Sequence, residues 1–196
     1  MAEITIEAIK KLKELSGVGL TDAKKALVEA AGDFDKALKA MREKGLTKAE
    51  KRSDRETREG VVASYIHDNR LGAIVEVNCE TSFVANTDEF KELAHKLAMQ
   101  IASMDPLYVS ENDIPEKVRK EKVAEFEAKF KGPAKMKDQI IDGQVKKAFS
   151  DKVLMLQPYI LDDTKTVAEY IKEMIAKTGE NITVRQFKRI ELGVNE

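Results

Sequence analysis

Val61-Val62-Ala63-Ser64-Tyr65-Ile66-His67 and Gly72-Ala73-Ile74-Val75-Glu76-Val77-Asn78-Cys79-Glu80-Thr81 decide the fold class. Both runs are rich in β-branched residues and flank Asp68-Asn69-Arg70, the signature of a hairpin. The chain then returns to helical spacing. Phe90, Leu93, Ala94, Leu97, Ala98 and Ile101 lie on one helical face, and Pro106 forbids its continuation. Two charged helices come next, Glu116 to Lys131 and Ala134 to Leu156, broken at Gly132-Pro133 and expected as an antiparallel pair over or beside the sheet. Thr166-Val167-Ala168-Glu169 reads as a capping box opening a helix that carries Val167, Tyr170, Ile171, Met174 and Ile175 and ends at Gly179. Ile182 to Leu192 reads as a last strand. Two strands early and one late, with helices between, predict an α+β core with a small antiparallel β-sheet covered by helices on one face.

Upstream of the hairpin the pattern is helix, short polar break, helix. Ile9, Leu12 and Leu15 form one stripe, and Ser16-Gly17-Val18-Gly19-Leu20 is the break. Thr21 is the expected cap of a second helix with Ala23, Ala26, Leu27 and Ala30, which Gly32 ends. Asp33 is expected to cap a third, with Phe34, Ala37, Leu38 and Met41 on one face, stopping at Gly45. The result is an amino-terminal three-helix bundle over residues 1–46. Residues 47–59 mix Lys48, Lys51, Arg52, Arg55 and Arg58 with acids and no apolar stripe, a solvated helix or linker. Residues 60–196 form the α+β core.

The balance of the chain narrows its function classes. It has 196 residues, 34 Lys plus Arg and 35 Asp plus Glu, so no global field draws it to nucleic acid or an anionic membrane. One cysteine, Cys79, excludes an internal disulfide and fits a reducing compartment. The start of the chain lacks a basic stretch followed by an apolar one, and no apolar run of about 18 residues occurs. The reading is a soluble cytoplasmic protein.

Enzyme signals are sparse. Gly17-Val18-Gly19 joins two helices, where a dinucleotide site needs a strand first. His67 sits at the hairpin turn and His95 on a polar helix face, without a second ligand at metal spacing, so no metal or cofactor is expected. Cys79 shares a strand face with Val75 and Val77 and is expected to be buried and inert. The basic positions between 48 and 58 are interleaved with acids and carry no aromatic for stacking, so no direct nucleic-acid contact is expected either. Glu80-Thr81-Ser82-Phe83-Val84-Ala85-Asn86 stands apart, because a large aromatic occupies a small, polar connection between strand and helix. If Asn86 caps the following helix, the hydrophobic staple pairs Ala85 with Phe90. Phe83 is then either an anchor in its own core or a side chain offered to a partner.

Ser16-Gly17-Val18-Gly19-Leu20-Thr21-Asp22-Ala23-Lys24-Lys25-Ala26-Leu27 resembles the first helix-loop-helix of the elongation factor Ts family. Val75-Glu76-Val77-Asn78-Cys79-Glu80-Thr81-Ser82-Phe83-Val84-Ala85-Asn86 is similar to that family's central signature. Gln157-Pro158-Tyr159 and Val184-Arg185-Gln186-Phe187-Lys188-Arg189 resemble its later segments, in the same order. The resemblance implies a guanine nucleotide exchange factor for elongation factor Tu, acting by binding and not by covalent chemistry. It implies a ubiquitin-associated-like amino-terminal bundle that touches the GTPase through Val18, Gly19, Leu20, Asp22 and Lys24. It also implies that Phe83, set among Thr81, Ser82 and Val84, wedges near the partner's magnesium and phosphate site and dislodges the metal. The family usually carries aspartate where this chain has Ser82, which leaves metal displacement to the aromatic wedge, and it commonly carries methionine where this chain has Leu20.

Longer family members contain two copies of the core repeat, and one copy here implies a homodimer, with an interface expected around Phe187 and Ile190. Two other classes remain open: a ubiquitin-associated-type adaptor gripping a peptide helix through residues 1–45, and a small-molecule enzyme dependent on His67 or His95.

Overall fold

The computed structural model describes residues 4–16, 19–41, 52–130 and 136–194. Three helices open the chain: α1 (Ile6–Ser16), α2 (Leu20–Glu29) and α3 over residues 34–41. Ile9, Leu12, Ala23, Ala26, Leu27, Ala37 and Met41 form one buried cluster, with Ile4, Ala8, Ala30, Phe34 and Leu38 packed against it. The alanines on α2 let the neighbouring helices approach closely, which is how a unit this small encloses a core. The side chain of Leu15 and the end expected at Gly45 lie outside the described residues.

The cap of α2 differs from the expectation. Gly19 occupies the capping position with no side-chain bond, and Thr21 lies inside the helix. Leu20 already has helical geometry, so the hydroxyl one residue later is past the point where the first amides need a partner. At the other end the left-handed residue directly after the C-cap Ala30 is Ala31, with φ +53° and its amide on the Val28 carbonyl at 3.0 Å, and Gly32, expected in that place, follows with φ +85° and its amide on the Leu27 carbonyl at 2.8 Å. Asp33 caps α3, its Oδ1 accepting from the Lys36 amide at 3.0 Å.

The remaining elements are β1 (Glu59–His67), β2 (Leu71–Cys79), α4 (Ser82–Ala85), α5 (Asp88–Met104), α6 (Glu116–Lys129), α7 (Lys137–Phe149), β3 (Pro158–Tyr159), β4 (Asp162–Thr166), α8 (Val167–Thr178) and β5 (Ile182–Glu191). The main sheet has strand order β1-β2-β5. Asp68 and Asn69, both with positive φ, form the two-residue turn between β1 and β2, closed by the Arg70 amide on the His67 carbonyl at 3.0 Å. Such turns match the right-handed twist of the strands they join, and Asp and Asn tolerate the left-handed backbone they need. A second, two-stranded sheet pairs β3 with β4 antiparallel, a hairpin that the sequence did not announce.

The chain divides into two units. The first comprises Met1–Val62, Glu76–Leu93 and Ala168–Val184. In it, Arg52 donates to the Ile175 carbonyl at 3.4 Å, and Thr57 meets Thr183 at 2.9 Å between hydroxyls. Residues 52–54 form a turn, 55 a bend, and 56–58 have no regular secondary structure, so the described part of the charged run before β1 is not helical.

The second unit comprises Ala63–Val75, Ala94–Val167 and Arg185–Glu196. Here α5 lies beside the sheet: His95 Nδ1 is 3.1 Å from the Ser64 carbonyl, and Arg189 Nε donates to the Ala102 carbonyl at 3.0 Å. Gln100 and Gln157, both fully buried, meet at 3.1 Å. Gln157 also donates to the Met104 and Asp151 carbonyls, and Gln100 Oε1 accepts from the Ile160 amide at 2.8 Å. Every arm of this buried pair has a partner, so its hydrogen bonds offset the cost of desolvation while it ties segments distant in sequence. Ile114, Ile141, Val145, Phe149 and Val153 form a buried cluster built mainly on α7, and α6 packs against it through half-buried Val118, Val123 and Phe126. The expected helix to Leu156 ends at Phe149 instead, because Val153 leaves it to form a parallel bridge with Tyr108.

Gly60 and Gly143 separate two uses of glycine. A Cβ on Gly60 would sit 2.2 Å from the Val77 carbonyl oxygen, against rigid β2 backbone. Gly60→Ala is expected to destabilise by about 3 kcal/mol. In mid-α7, Gly143 has nothing within 4 Å of an added Cβ, and Gly143→Ala is expected to stabilise by about 1 kcal/mol. Denaturant titration of both variants checks the pair.

Candidate functional site

The site begins where β2 stops. Cys79 ends the strand fully buried, in line with Ala73, Val75 and Val77, as its position implied. Burial pushes its thiol pKa up and the nearby Glu180 carboxylate pushes it further, so Sγ stays protonated and donates to the Thr81 carbonyl at 3.2 Å. Thr81 is extended, with φ −131° and ψ 151°, and caps α4, its Oγ1 accepting from the Val84 amide at 3.4 Å. A one-turn helix stands here, where the sequence suggested only a connection, and that cap starts it.

The far end of the turn is tied as well. Asn86 closes it by donating to the Ser82 carbonyl from its amide at 3.1 Å and from Nδ2 at 2.8 Å. Thr87 then caps α5, its Oγ1 accepting from the Phe90 amide at 3.2 Å while donating to the Val84 carbonyl at 2.8 Å. This corrects the expected cap at Asn86. The residue before the true cap is polar, so the staple between Ala85 and Phe90 does not form the entry to α5. Asn86 is instead consumed by α4.

The residues of this turn face opposite ways. Val84 and Ala85 are buried, whereas Thr81, Ser82 and Phe83 are exposed. Phe83 is 83% exposed, the highest value among the large apolar side chains described. It is not an anchor in its own core. A single exposed apolar residue is ordinary, but one on a turn tied at both ends is held out at a local cost in apolar hydration.

The outer support of the turn comes from the segment between α8 and β5. Glu180 Oε2 accepts from the Thr81 amide at 3.0 Å, and Glu180 Oε1 from the Thr81 hydroxyl at 2.6 Å. In return Glu80 Oε1 accepts from the Asn181 amide at 2.6 Å. Arg55 lies 3.4 Å from the Glu80 carboxylate. Asn181, 2% exposed, donates from Nδ2 to the Ser53 and Arg55 carbonyls at 3.2 and 2.7 Å. Glu180 and Asn181 had no sequence signal, since they lie 99 or more residues from their partners in a segment marked only by Gly179.

The second group of expected site residues stands on a different element. Gly19 is extended and its carbonyl accepts from the Ala23 amide at 3.0 Å. Leu20 is 54% exposed at the start of α2, Lys24 is exposed and Asp22 half-buried in the first turn. Val18 lies outside the described residues. His67 and His95 flank Tyr65: the Tyr65 hydroxyl is 3.0 Å from His67 Nδ1, and the His95 ring meets Tyr65 edge-on at 5.8 Å. Among the described residues there is no group of three or more His, Cys, Asp or Glu placed to hold a metal, and no helix is long and apolar enough to cross a membrane.

These features define a mixed helix-and-strand protein with an amino-terminal helical bundle, a small antiparallel sheet and an aromatic presented at a strand-to-helix junction. The family model described as Elongation factor TS matches residues 2–194, and the chain belongs to that family of translation elongation factors. It is 49% identical over 193 residues to Elongation factor Ts of Thermotoga petrophila and of Thermotoga maritima, covering 97% of both chains in each case. It is 47% identical to Elongation factor Ts of Coprothermobacter proteolyticus over 198 residues, covering 97% of this chain and 99% of that one.

Because Phe83 contributes little to the free fold, Phe83→Ala is expected to change unfolding free energy by no more than about 0.5 kcal/mol, whereas Val84→Ala, one residue on and 6% exposed, is expected to cost about 2 kcal/mol. Chemical denaturation of the two variants side by side is the check. A Phe83 loss as large as that of Val84 would place the ring in the core.

Proposed function

We propose that the protein is a guanine nucleotide exchange factor for elongation factor Tu, binding the GDP-bound GTPase and disturbing its Mg²⁺ and phosphate site so that GDP leaves and GTP enters. Membership of the family supports the partner, and the observation that carries the mechanism is Phe83, held outward on a turn tied at both ends. In this reading residues 1–46 are the bundle that touches the GTPase through Val18, Gly19, Leu20, Asp22 and Lys24, 47–59 connect it, and 60–196 form the core that carries the wedge. Ser82 supplies no carboxylate, so displacement of the partner's metal rests on the ring. The factor itself performs no covalent step and acts in the cytoplasm.

Exchange follows from linkage. A factor that binds nucleotide-free GTPase more tightly than GDP-bound GTPase weakens GDP by the same ratio. A thousandfold weakening needs about 4 kcal/mol of differential binding. Burying one phenylalanine side chain contributes about 1.5–3 kcal/mol, so the ring accounts for a large part of that, and the remaining ~1–2.5 kcal/mol comes from other contacts that differ between the two states. Release of a fluorescent GDP from elongation factor Tu is expected to accelerate with the wild type. Phe83→Ala is expected to lose about 10- to 100-fold of that acceleration, following the same burial range. No acceleration at any concentration would defeat the reading in favour of a helical adaptor.

We also propose a homodimer. Ile66, Ile74 and Ile190 are exposed at 68%, 49% and 73% on the three strands of the main sheet, with Phe187 near Ile190 on β5 half-buried. A second copy would cover this apolar set. Light scattering at micromolar concentration is expected to give twice the chain mass for the wild type and the chain mass for Ile66→Lys/Ile190→Lys. A monomeric wild type would contradict it.

A further inference from the structure

We propose that Glu180 is the positioning residue of the exchange site, holding Thr81 so that α4 forms and Phe83 points outward; this rests on the exchange reading above. Three observations carry it. Both oxygens of Glu180 are committed to Thr81, one to its amide and one to its hydroxyl. Thr81 is the residue that caps α4, so its orientation sets the turn on which Phe83 stands. The Glu180 backbone is itself fixed: Gly179, with φ +80°, turns the chain out of α8, and the following Asn181 is gripped at its amide by Glu80 and at its side chain by the Ser53 and Arg55 carbonyls.

Without Glu180 the Thr81 amide and hydroxyl lose their acceptor together. Of the ties on Thr81, the Cys79 thiol and the Ala85 amide on its carbonyl and the long 3.4 Å bond from the Val84 amide to its Oγ1 remain, and none of them holds the Thr81 amide, which leaves the amide side free to swing. A carboxylate suits the task because it accepts two hydrogen bonds side by side, and charge-assisted bonds are the stronger kind. Glutamine retains one acceptor for the amide and presents an N–H to the hydroxyl oxygen, so it preserves the geometry without the charge. Alanine removes both contacts. The ring is untouched in either variant.

The test is fluorescent GDP release from elongation factor Tu with wild type, Glu180→Ala, Glu180→Gln, Phe83→Ala and the Glu180→Ala/Phe83→Ala double variant, with circular dichroism melting of each and amide hydrogen exchange of the free proteins. We expect Glu180→Ala to lose about three- to tenfold of the acceleration, Glu180→Gln to retain most of it, and Glu180→Ala to cost nothing further once Phe83 is alanine, the non-additivity of residues acting through one group. The Thr81 amide is expected to exchange faster in Glu180→Ala and not in Glu180→Gln. An equal loss from Glu180→Ala in both backgrounds would overturn the assignment, since the carboxylate would then act elsewhere than through the ring. Unchanged acceleration, or a Thr81 amide that exchanges no faster in Glu180→Ala, would overturn it too. If the wild type gives no acceleration, the exchange reading fails by itself, and the Thr81 amide in the free protein still decides whether Glu180 holds the turn.

Discussion

Two glutamates grip each other's neighbouring backbone where β2 ends and β5 begins. Glu180 takes the amide and hydroxyl of Thr81, and Glu80 takes the amide of Asn181. This reciprocal clamp is the constraint on which the site depends. Strand ends leave amides unpaired once the ladder stops, and at buried Asn181 an amide without an acceptor would be costly, whereas at exposed Thr81 the acceptor chiefly fixes the backbone. Here each glutamate supplies the acceptor for the amide just past its opposite number, so the last rung of the pair is made of carboxylates instead of carbonyls. Two like charges this close need compensation, which Arg55 beside Glu80 supplies on one side.

The clamp matters because of the short helix directly behind it. A four-residue helix has no stability of its own, since nucleation fixes several dihedrals for a single hydrogen bond. The α4 turn persists because Thr81 is held before it, Asn86 closes it and Thr87 starts the longer α5 immediately after. Val84 and Ala85 anchor its inner side. Under those conditions Phe83 faces solvent as a pre-organised ring, and a partner that buries it recovers the hydration cost without first ordering the loop. In the proposed complex, rigidity of the free protein would be converted into binding energy.

Much of this was legible in the sequence for definite physical reasons. The β-branched runs around Asp68-Asn69 and the unbroken spacing from Phe90 to Ile101 are local patterns, and local patterns dictated β1, β2 and α5. The stretch from Val75 to Asn86 also drew attention to the turn on which the exposed Phe83 stands. The clamp was not legible, because hydrogen bonds between residues about a hundred positions apart leave no periodicity to read. Nor was the division of labour between Asn86 and Thr87: both are good caps, and only the geometry of α4 assigns one to each helix. The early end of α7 at Phe149 and the β3–β4 hairpin belong to the same kind, set by the Val153–Tyr108 bridge and the Gln100–Gln157 pair and not by propensity. The mixed-sign run before the hairpin was legible only in part. The arginines at 52 and 55 read as solvated; Arg55 is exposed beside Glu80, whereas half-buried Arg52 reaches the Ile175 carbonyl.

The most direct test of the account is a fluorine NMR spectrum of protein carrying 4-fluorophenylalanine at position 83, recorded free and with nucleotide-free elongation factor Tu. A single sharp resonance with a full water-to-deuterium-oxide isotope shift is expected in the free protein, and loss of that isotope shift in the complex as the ring is buried. A resonance that keeps its solvent isotope shift in a complex that has demonstrably formed would contradict it.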